Sequence, residues 1–195
     1  MFQNMRNKRL ILMRHGVTMG NVQKRYVGRT DEPLLDISKE KLKPYADHKV
    51  RKVYISPMKR AYETSSILFP NAGCIVLDEF RECDFGEYEY KNYEELNGLM
   101  PYQQYIDSGG STAFPGGESR DEFIERVMTG FAKMSETVGD EEDVYIVAHG
   151  GTVMAIMDRL VVPHKDFHEW HVEGGEGYVI RCEDSGNYTL CSLYP

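Results

Sequence analysis

No stretch of this 195-residue chain approaches the roughly 20 consecutive apolar residues of a membrane span. Met1 to Arg9 is polar and basic, and the apolar run behind it is too short for a signal peptide. The expectation is a cytoplasmic protein with no membrane partner. Cysteine is sparse, and Cys74, Cys83, Cys182 and Cys191 show no CxxC spacing. They read as free thiols of a reducing compartment. Positive charge is not in excess: the formal net charge is −8, which argues against general nucleic-acid or anionic-lipid binding. An anionic substrate would need cations gathered locally in a cleft. Internal repeats, low-complexity runs and Pro/Gly-rich linkers are missing too, so residues 1–195 read as one domain. With 41% hydrophobic and 28% charged residues, that domain can bury a core. The oligomeric state is not fixed by the sequence.

What is present alternates. Leu10 to Met13 and Val144 to Val147 are short apolar runs of the buried-strand type. A polar loop with a short helical piece follows the first, through Asp36. Periodicity then predicts a helix over roughly Ser38 to His48, a strand at Val53-Tyr54-Ile55, and a helix starting at Ser56-Pro57. Serine is a favoured N-cap and proline a favoured first residue. Met58, Ala61, Tyr62, Ser65, Leu68 and Phe69 fall on one face of that helix. A third strand covers Cys74 to Leu77. Ser119-Arg120-Asp121-Glu122 has capping-box spacing and opens a helix with an apolar stripe of Phe123, Val127, Phe131, Met134 and Val138. Gly150-Gly151-Thr152 leads into another helix. Tyr178 to Arg181 and Tyr188 to Leu193 read as a closing strand pair. The fold class is therefore α/β: a three-layer sandwich with a mostly parallel central sheet and one antiparallel edge strand. An irregular lid insertion spans about 83–118.

Arg14-His15-Gly16 and His149-Gly150 each sit just past an apolar strand. In an open α/β sheet such positions meet in the ligand crevice. Arg14 offers a planar fork of donors to a phosphate. Gly16 would let ligand oxygens approach the backbone. Arg60 lies in the first turn of its helix, off the apolar stripe, and His149-Gly150-Gly151 opens another; helix N-termini attract anions. Taken singly, each is as readily a surface residue. A nitrogen nucleophile beside fixed positive charge is what phosphoryl transfer needs.

The ordered set resembles the histidine phosphatase superfamily, the phosphoglycerate-mutase-like family, and within it the phosphatase branch. The resemblance runs from Leu10 to about Val179. It is carried by Arg14 to Thr18 with Asn21, by Gly28 with Asp31 to Leu34, and by Ser56 to Thr64. Glu82 with Phe85-Gly86, Pro115 to Ser119, and His149-Gly150 complete it. It implies a histidine-type phosphoric monoester hydrolase that needs no metal and no cofactor. His15 would be the nucleophile. Arg14, Arg60 and His149 would hold the phosphoryl oxygens, assisted by Asn21 and the Gly150 amide. Thr18 and Gly28 would shape the mouth, and Glu82 would be the general acid. Asp84 and Glu87 remain alternative acids, since four carboxylates fall in residues 82–89. A glycine often follows the glutamate at position 89 in this family, whereas Tyr90 stands here.

The partner implied is a small phosphorylated metabolite. Seven rings between Phe85 and Phe114 either line an aromatic pocket or pack the insertion onto the body. Lys91 is the sole Lys or Arg between Glu82 and Arg120, which favours hydrolysis of a less acidic ester over phosphoglycerate mutase activity. The insertion and the Pro115–Ser119 segment look like those of enzymes that cleave α-ribazole phosphate. A non-catalytic phospho-ligand module is a further alternative, as is a metal site at His164, His168 and His171.

Overall fold

Alternation along the central strands sets the layers. The computed structural model describes residues 2–44 and 50–194. In chain order the elements are β1 (Arg9–Arg14), α1 (Met19–Val22), α2 (Asp36–Lys41), β2 (Lys52–Ile55), α3 (Lys59–Leu68), β3 (Gly73–Val76), α4 (Tyr93–Leu96), α5 (Met100–Asp107), α6 (Arg120–Thr137), β4 (Asp143–Ala148), α7 (Gly150–Leu160), β5 (Gly177–Cys182) and β6 (Tyr188–Tyr194). Successive strand residues point to opposite faces. Leu10, Leu12, Val144, Ile146 and Ala148 share one core with Phe123, Val127 and Phe131 of α6 and Val153, Ile156 and Met157 of α7. Ile11, Met13, Tyr145 and Val147 face the other way, toward Ala61 and Leu68 of α3. Both faces being covered explains why β1 and β4 read as unbroken apolar runs.

The sheet order is β3-β2-β4-β1-β5-β6. β3, β2, β4 and β1 pair in parallel, and antiparallel pairing is confined to the edge that carries the β5–β6 hairpin. The register fixes which residues meet at the sheet's edge. Arg14 is level with Ala148, and Ile55 with Val147. His15, His149 and Ser56 therefore leave the sheet side by side at its carboxyl edge. The His15 N–H donates to Ala148 O at 2.9 Å, and the Ser56 N–H to Val147 O at 3.2 Å.

The capping box at Ser119 and Glu122 forms as expected, and the whole apolar stripe of α6 is buried. Other expectations need correction. α2 ends at Lys41, because Pro44 disfavours helical backbone just before it. The last residues of the longer helix expected there, 45–48, lie outside the described residues. α3 starts at Lys59, with Met58 at the N-cap and the Ser56-Pro57 lead-in outside the helix. The missing cap is supplied from afar: Asp31 Oδ1 accepts the Lys59 N–H at 2.6 Å. Tyr62 is exposed, so it lies off the buried face of α3, whereas Arg60 is fully buried.

The aromatic insertion has its own small core. Tyr88, Leu96, Tyr102 and Phe114 are buried together, with Tyr26 and Tyr105 packed against them. Tyr105 stacks on Phe114 at 3.9 Å, and Tyr26 meets Tyr102 hydroxyl to hydroxyl at 2.8 Å. These rings hold the segment onto the loop after α1. No helix among the described residues is long and apolar enough to cross a membrane.

Phe131 is fully buried between Phe2 and Tyr188. Phe131→Ala should lower stability by about 3–5 kcal/mol, the cost of an unfilled core site. A urea midpoint measurement with unchanged slope checks this.

Candidate active site

The His15 ring is buried, and its protonation is fixed by chemistry. Nδ1 lies 2.6 Å from Gly16 O. A carbonyl only accepts, so Nδ1 carries the hydrogen and Nε2 of the neutral ring presents a lone pair. Among the described residues nothing bonds Nε2, and it is not among the sealed, unpartnered atoms. Burial, then the charges of Arg60 and Arg14, hold the His15 pKa well below the ordinary imidazole value, against a smaller upward pull from Gly16 O.

His149 stands edge-to-face with His15, ring centroids 5.1 Å apart. Its Nδ1 accepts from Arg60 Nε at 3.2 Å, and its Nε2 lies 2.7 Å from Ser56 Oγ. A guanidinium only donates, so this ring holds its hydrogen on Nε2. Burial, then Arg60, pushes its pKa down as well. Arg60 is caged. Nη1 donates to Thr30 O at 2.7 Å, and Nη2 to Gly28 O at 3.0 Å and Val27 O at 3.2 Å. Among the described residues one of its five N–H groups is left over.

Arg14 is less committed. Nη1 donates to Val172 O at 2.7 Å, while the buried Nε has no partner among the described residues. Nε faces the start of α7: a Cβ built on Gly150 would sit 3.4 Å from it. As the first residue of α7, Gly150 has an N–H without an intrahelical acceptor. An unpaired buried donor costs about 1–3 kcal/mol. An anion at the start of α7 would relieve both groups.

Glu82 comes to the same helix end. Its Oε2 accepts the Gly151 N–H and its Oε1 the Cys83 N–H, each at 3.0 Å. Only glycine permits this approach, since a Cβ on residue 151 would lie 2.2 Å from Oε1. The alternative acids are placed elsewhere. Asp84 Oδ1 accepts the Gly86 N–H and pairs with Arg29, and Glu87 is exposed.

The remaining predicted residues play more structural parts. Thr18 is buried and caps α1 reciprocally with Asn21. The Asn21 Oδ1 is thereby used, leaving its amide NH₂ free of that bond. Gly28 gives its carbonyl to Arg60 and its N–H to Glu89, and a Cβ there would collide with Cys83 O at 2.1 Å. Gly16 does not serve the ligand contact expected of it: its N–H is taken by Thr64 Oγ1 at 3.0 Å, and its missing side chain makes room for Ser38. Sequence reasoning missed Ser56 as a site group by spending it on a helix cap; the available signal was its place just past the β2 run, as His15 and His149 stand just past theirs. Among the described residues no three His, Cys, Asp or Glu are placed to hold a metal, and His164 and His171 lie beside Asp158 and Glu173 separately. An apolar groove of about 900 Å³ between α2 and β6, lined by Leu35, Ile37, Leu42 and Leu193, contains none of the catalytic candidates.

Residues 10–192 match the family model of the histidine phosphatase superfamily, branch 1. The chain belongs to that superfamily. Among its relatives, the uncharacterized phosphatase PhoE of Bacillus subtilis is 29% identical, covering 76% of this chain and 75% of that one. The phosphoglycerate mutase-like protein 4 of Arabidopsis thaliana is 27% identical over 77% of this chain and 70% of that one. In three dimensions the chain superposes on the alpha-ribazole phosphatase of Shigella flexneri with a TM-score of 0.85 and 25% identity, covering 96% of both chains.

The two depressed histidines make the stability of this protein pH-dependent. Below about pH 6.5 the unfolded chain protonates both rings and the folded chain does not. Stability should therefore be full above about pH 6.5 and fall as pH drops toward 5, before the carboxylates titrate. Urea midpoints across that window check the sign, and His15→Asn should flatten the fall.

Proposed function

We propose that this protein hydrolyses small phosphate monoesters through a phosphohistidine formed on His15. The observation that carries this is the Nδ1–Gly16 bond of 2.6 Å, which leaves Nε2 as the free nucleophile in a buried, cationic site. In the first step Nε2 attacks phosphorus and the P–O ester bond breaks. Glu82 gives its proton to the departing alkoxide. In the second, the Glu82 carboxylate takes a proton from water, the water oxygen attacks phosphorus, and the P–N bond breaks to return neutral His15. Two easier displacements replace one hard one.

Arg14, Arg60, His149 and the Gly150 amide face the charge of the phosphoryl oxygens. The unpartnered Arg14 Nε and the leftover Arg60 N–H are donors already in place. His149 Nε2–H exchanges its Ser56 acceptor for a phosphoryl oxygen, with its other nitrogen locked by Arg60. The Asn21 NH₂ adds a further donor, oriented by the bond its Oδ1 accepts from the Thr18 N–H, while Thr18 and Gly28 shape the surrounding backbone. Such prearranged donors supply transition-state stabilisation through the side chains themselves.

The segment over the mouth favours an ester whose organic part carries little negative charge. Lys91, its sole cation, lies over the Tyr88 ring. An α-ribazole phosphate-like substrate fits that description, and the Shigella neighbour supports it. The test is a phosphate-release panel with chelator present: an aryl phosphate, 3-phosphoglycerate with and without its bisphosphate, sugar phosphates, nucleotides and α-ribazole phosphate. Release from one class, lost in His15→Ala with the fold intact, is expected. Isomerisation of phosphoglycerate without release would make the protein a mutase. Arg14→Ala and Arg60→Ala should each lose about two to four orders of magnitude in kcat/KM, the scale for lost transition-state donors. Acid-labile phosphate on His15 during turnover, trapped by rapid quench and read by mass spectrometry, tests the intermediate directly.

A further inference from the structure

Glu82 sits in a loop that no strand supports. The stretch from the end of β3 to Asp84 runs through one 3-10 turn, Asp78–Phe80, and its carbonyls need donors from elsewhere. Three of them, at Glu79, Arg81 and Glu82, are met by one side chain, and Thr152 Oγ1 of α7 donates to Phe80 O at 3.2 Å. Arg126, half-buried on α6, donates from Nη1 to Glu79 O at 2.8 Å and Arg81 O at 3.1 Å, and from Nη2 to Glu82 O at 3.1 Å. Its remaining N–H groups form a bidentate pair with Glu118, Nε to Oε1 at 2.6 Å and Nη2 to Oε2 at 2.7 Å. Glu118 then reaches past Glu82. Its Oε2 accepts the Asp84 N–H, and its own N–H donates to Asp84 O, both at 2.9 Å. The backbone is thus gripped on both sides of Glu82, by α6 before it and by Glu118 after it.

We propose that Glu118 and Arg126 form a clamp that positions the Glu82 carboxylate against α7 for proton transfer. The inference rests on the reading of Glu82 as the acid. The fork geometry matters, because a planar guanidinium fixes both distance and orientation where an ammonium fixes only charge. Burial is the largest single influence on Glu118 and opposes its ionisation, yet the Arg126 bonds, the Asp84 N–H and the Arg126 charge together outweigh it and hold its carboxyl below the usual value. The pair therefore stays ionised and closed through the neutral range. Neither residue needs to touch substrate. A misplacement of about 1 Å in a proton donor can cost roughly a hundredfold in rate.

The test compares two esters of unequal leaving group. An alkyl phosphate needs its leaving oxygen protonated, and an activated aryl phosphate does not. Arg126→Ala should lower kcat on the alkyl ester by about 10- to 100-fold with KM within about threefold, and lower aryl turnover by less than about threefold. Arg126→Lys should fall between. Adding Arg126→Ala to Glu82→Gln should cost nothing further on the alkyl ester, because the clamp acts only through the acid. Equal losses on both esters in a folded Arg126 variant would overturn the clamp. If the alanine variant does not fold, the lysine variant carries the same comparison, and its failing to split the two esters overturns the proposal. The underlying reading is separable. Glu82→Gln without a leaving-group split would overturn the acid assignment and the clamp with it, whereas a split in Glu82→Gln but in no Arg126 variant overturns the clamp alone.

Discussion

A full positive charge with no exposed surface is the constraint around which this site is built. Arg60 cannot shed its proton, and burying it costs several kcal/mol unless hydrogen bonds replace water. The replacement comes from Val27 O, Gly28 O and Thr30 O, from His149 Nδ1, and from carboxylates in range, Glu82 first among them. Each of these is thereby fixed in turn. The 27–30 loop must present three carbonyls inward, so its amides turn outward to Glu89, which takes those of Gly28 and Thr30. His149 must keep its hydrogen on Nε2. The guanidinium is therefore as much a template for its neighbours as a proposed binding group.

The same charge sets the chemistry of His15. A nucleophilic imidazole must be neutral with one bare nitrogen. Burial and two nearby guanidinium groups ensure the first condition, and the Gly16 carbonyl ensures the second. The cost appears in stability as pH falls, since both rings resist a proton that the unfolded chain accepts. The acidic exterior does not conflict with an anionic substrate. A net charge of −8 is an average over the surface, whereas the cations that matter are gathered at the carboxyl edge of β1 and β4.

The layers were legible because two-sided burial writes itself as short apolar runs, and α6 was legible from its cap and stripe. The convergence of His15 and His149 followed from both lying just past such runs. The order of β1 beside β4 could not be read from spacing, yet it is the register that makes the convergence real. What failed was local reasoning about residues whose partners are distant. Ser56 looked like a helix cap because serine caps helices, but its hydroxyl is engaged by a ring 93 positions away, and the cap comes from Asp31. Arg60 looked exposed because helical periodicity knows only the sheet-facing stripe. Its cage belongs to a loop that packs on another side of α3. Gly16 looked like a ligand contact, but Ser38 and Thr64 use the room. Pro44 was a visible stop signal that the longer helix overran.

These distant partnerships bear on how the site is lost. His15 comes from β1, the carbonyl cage from the loop after α1, Arg60 from α3, Glu82 from the loop after β3, and His149 from β4. No two of these groups are held by local backbone geometry alone. Each polar partner is satisfied only when its distant counterpart is in place, so a local opening of any one element strands a buried donor or acceptor in another. The 2.1 Å and 2.2 Å clearances that Gly28 and Gly151 avoid show how closely these segments interlock. Catalytic order and native packing are then the same transition. Partial unfolding near the sheet's carboxyl edge should not leave a slow enzyme with a loosened site, because the neutral His15, the caged Arg60 and the held Glu82 depend on one another's burial.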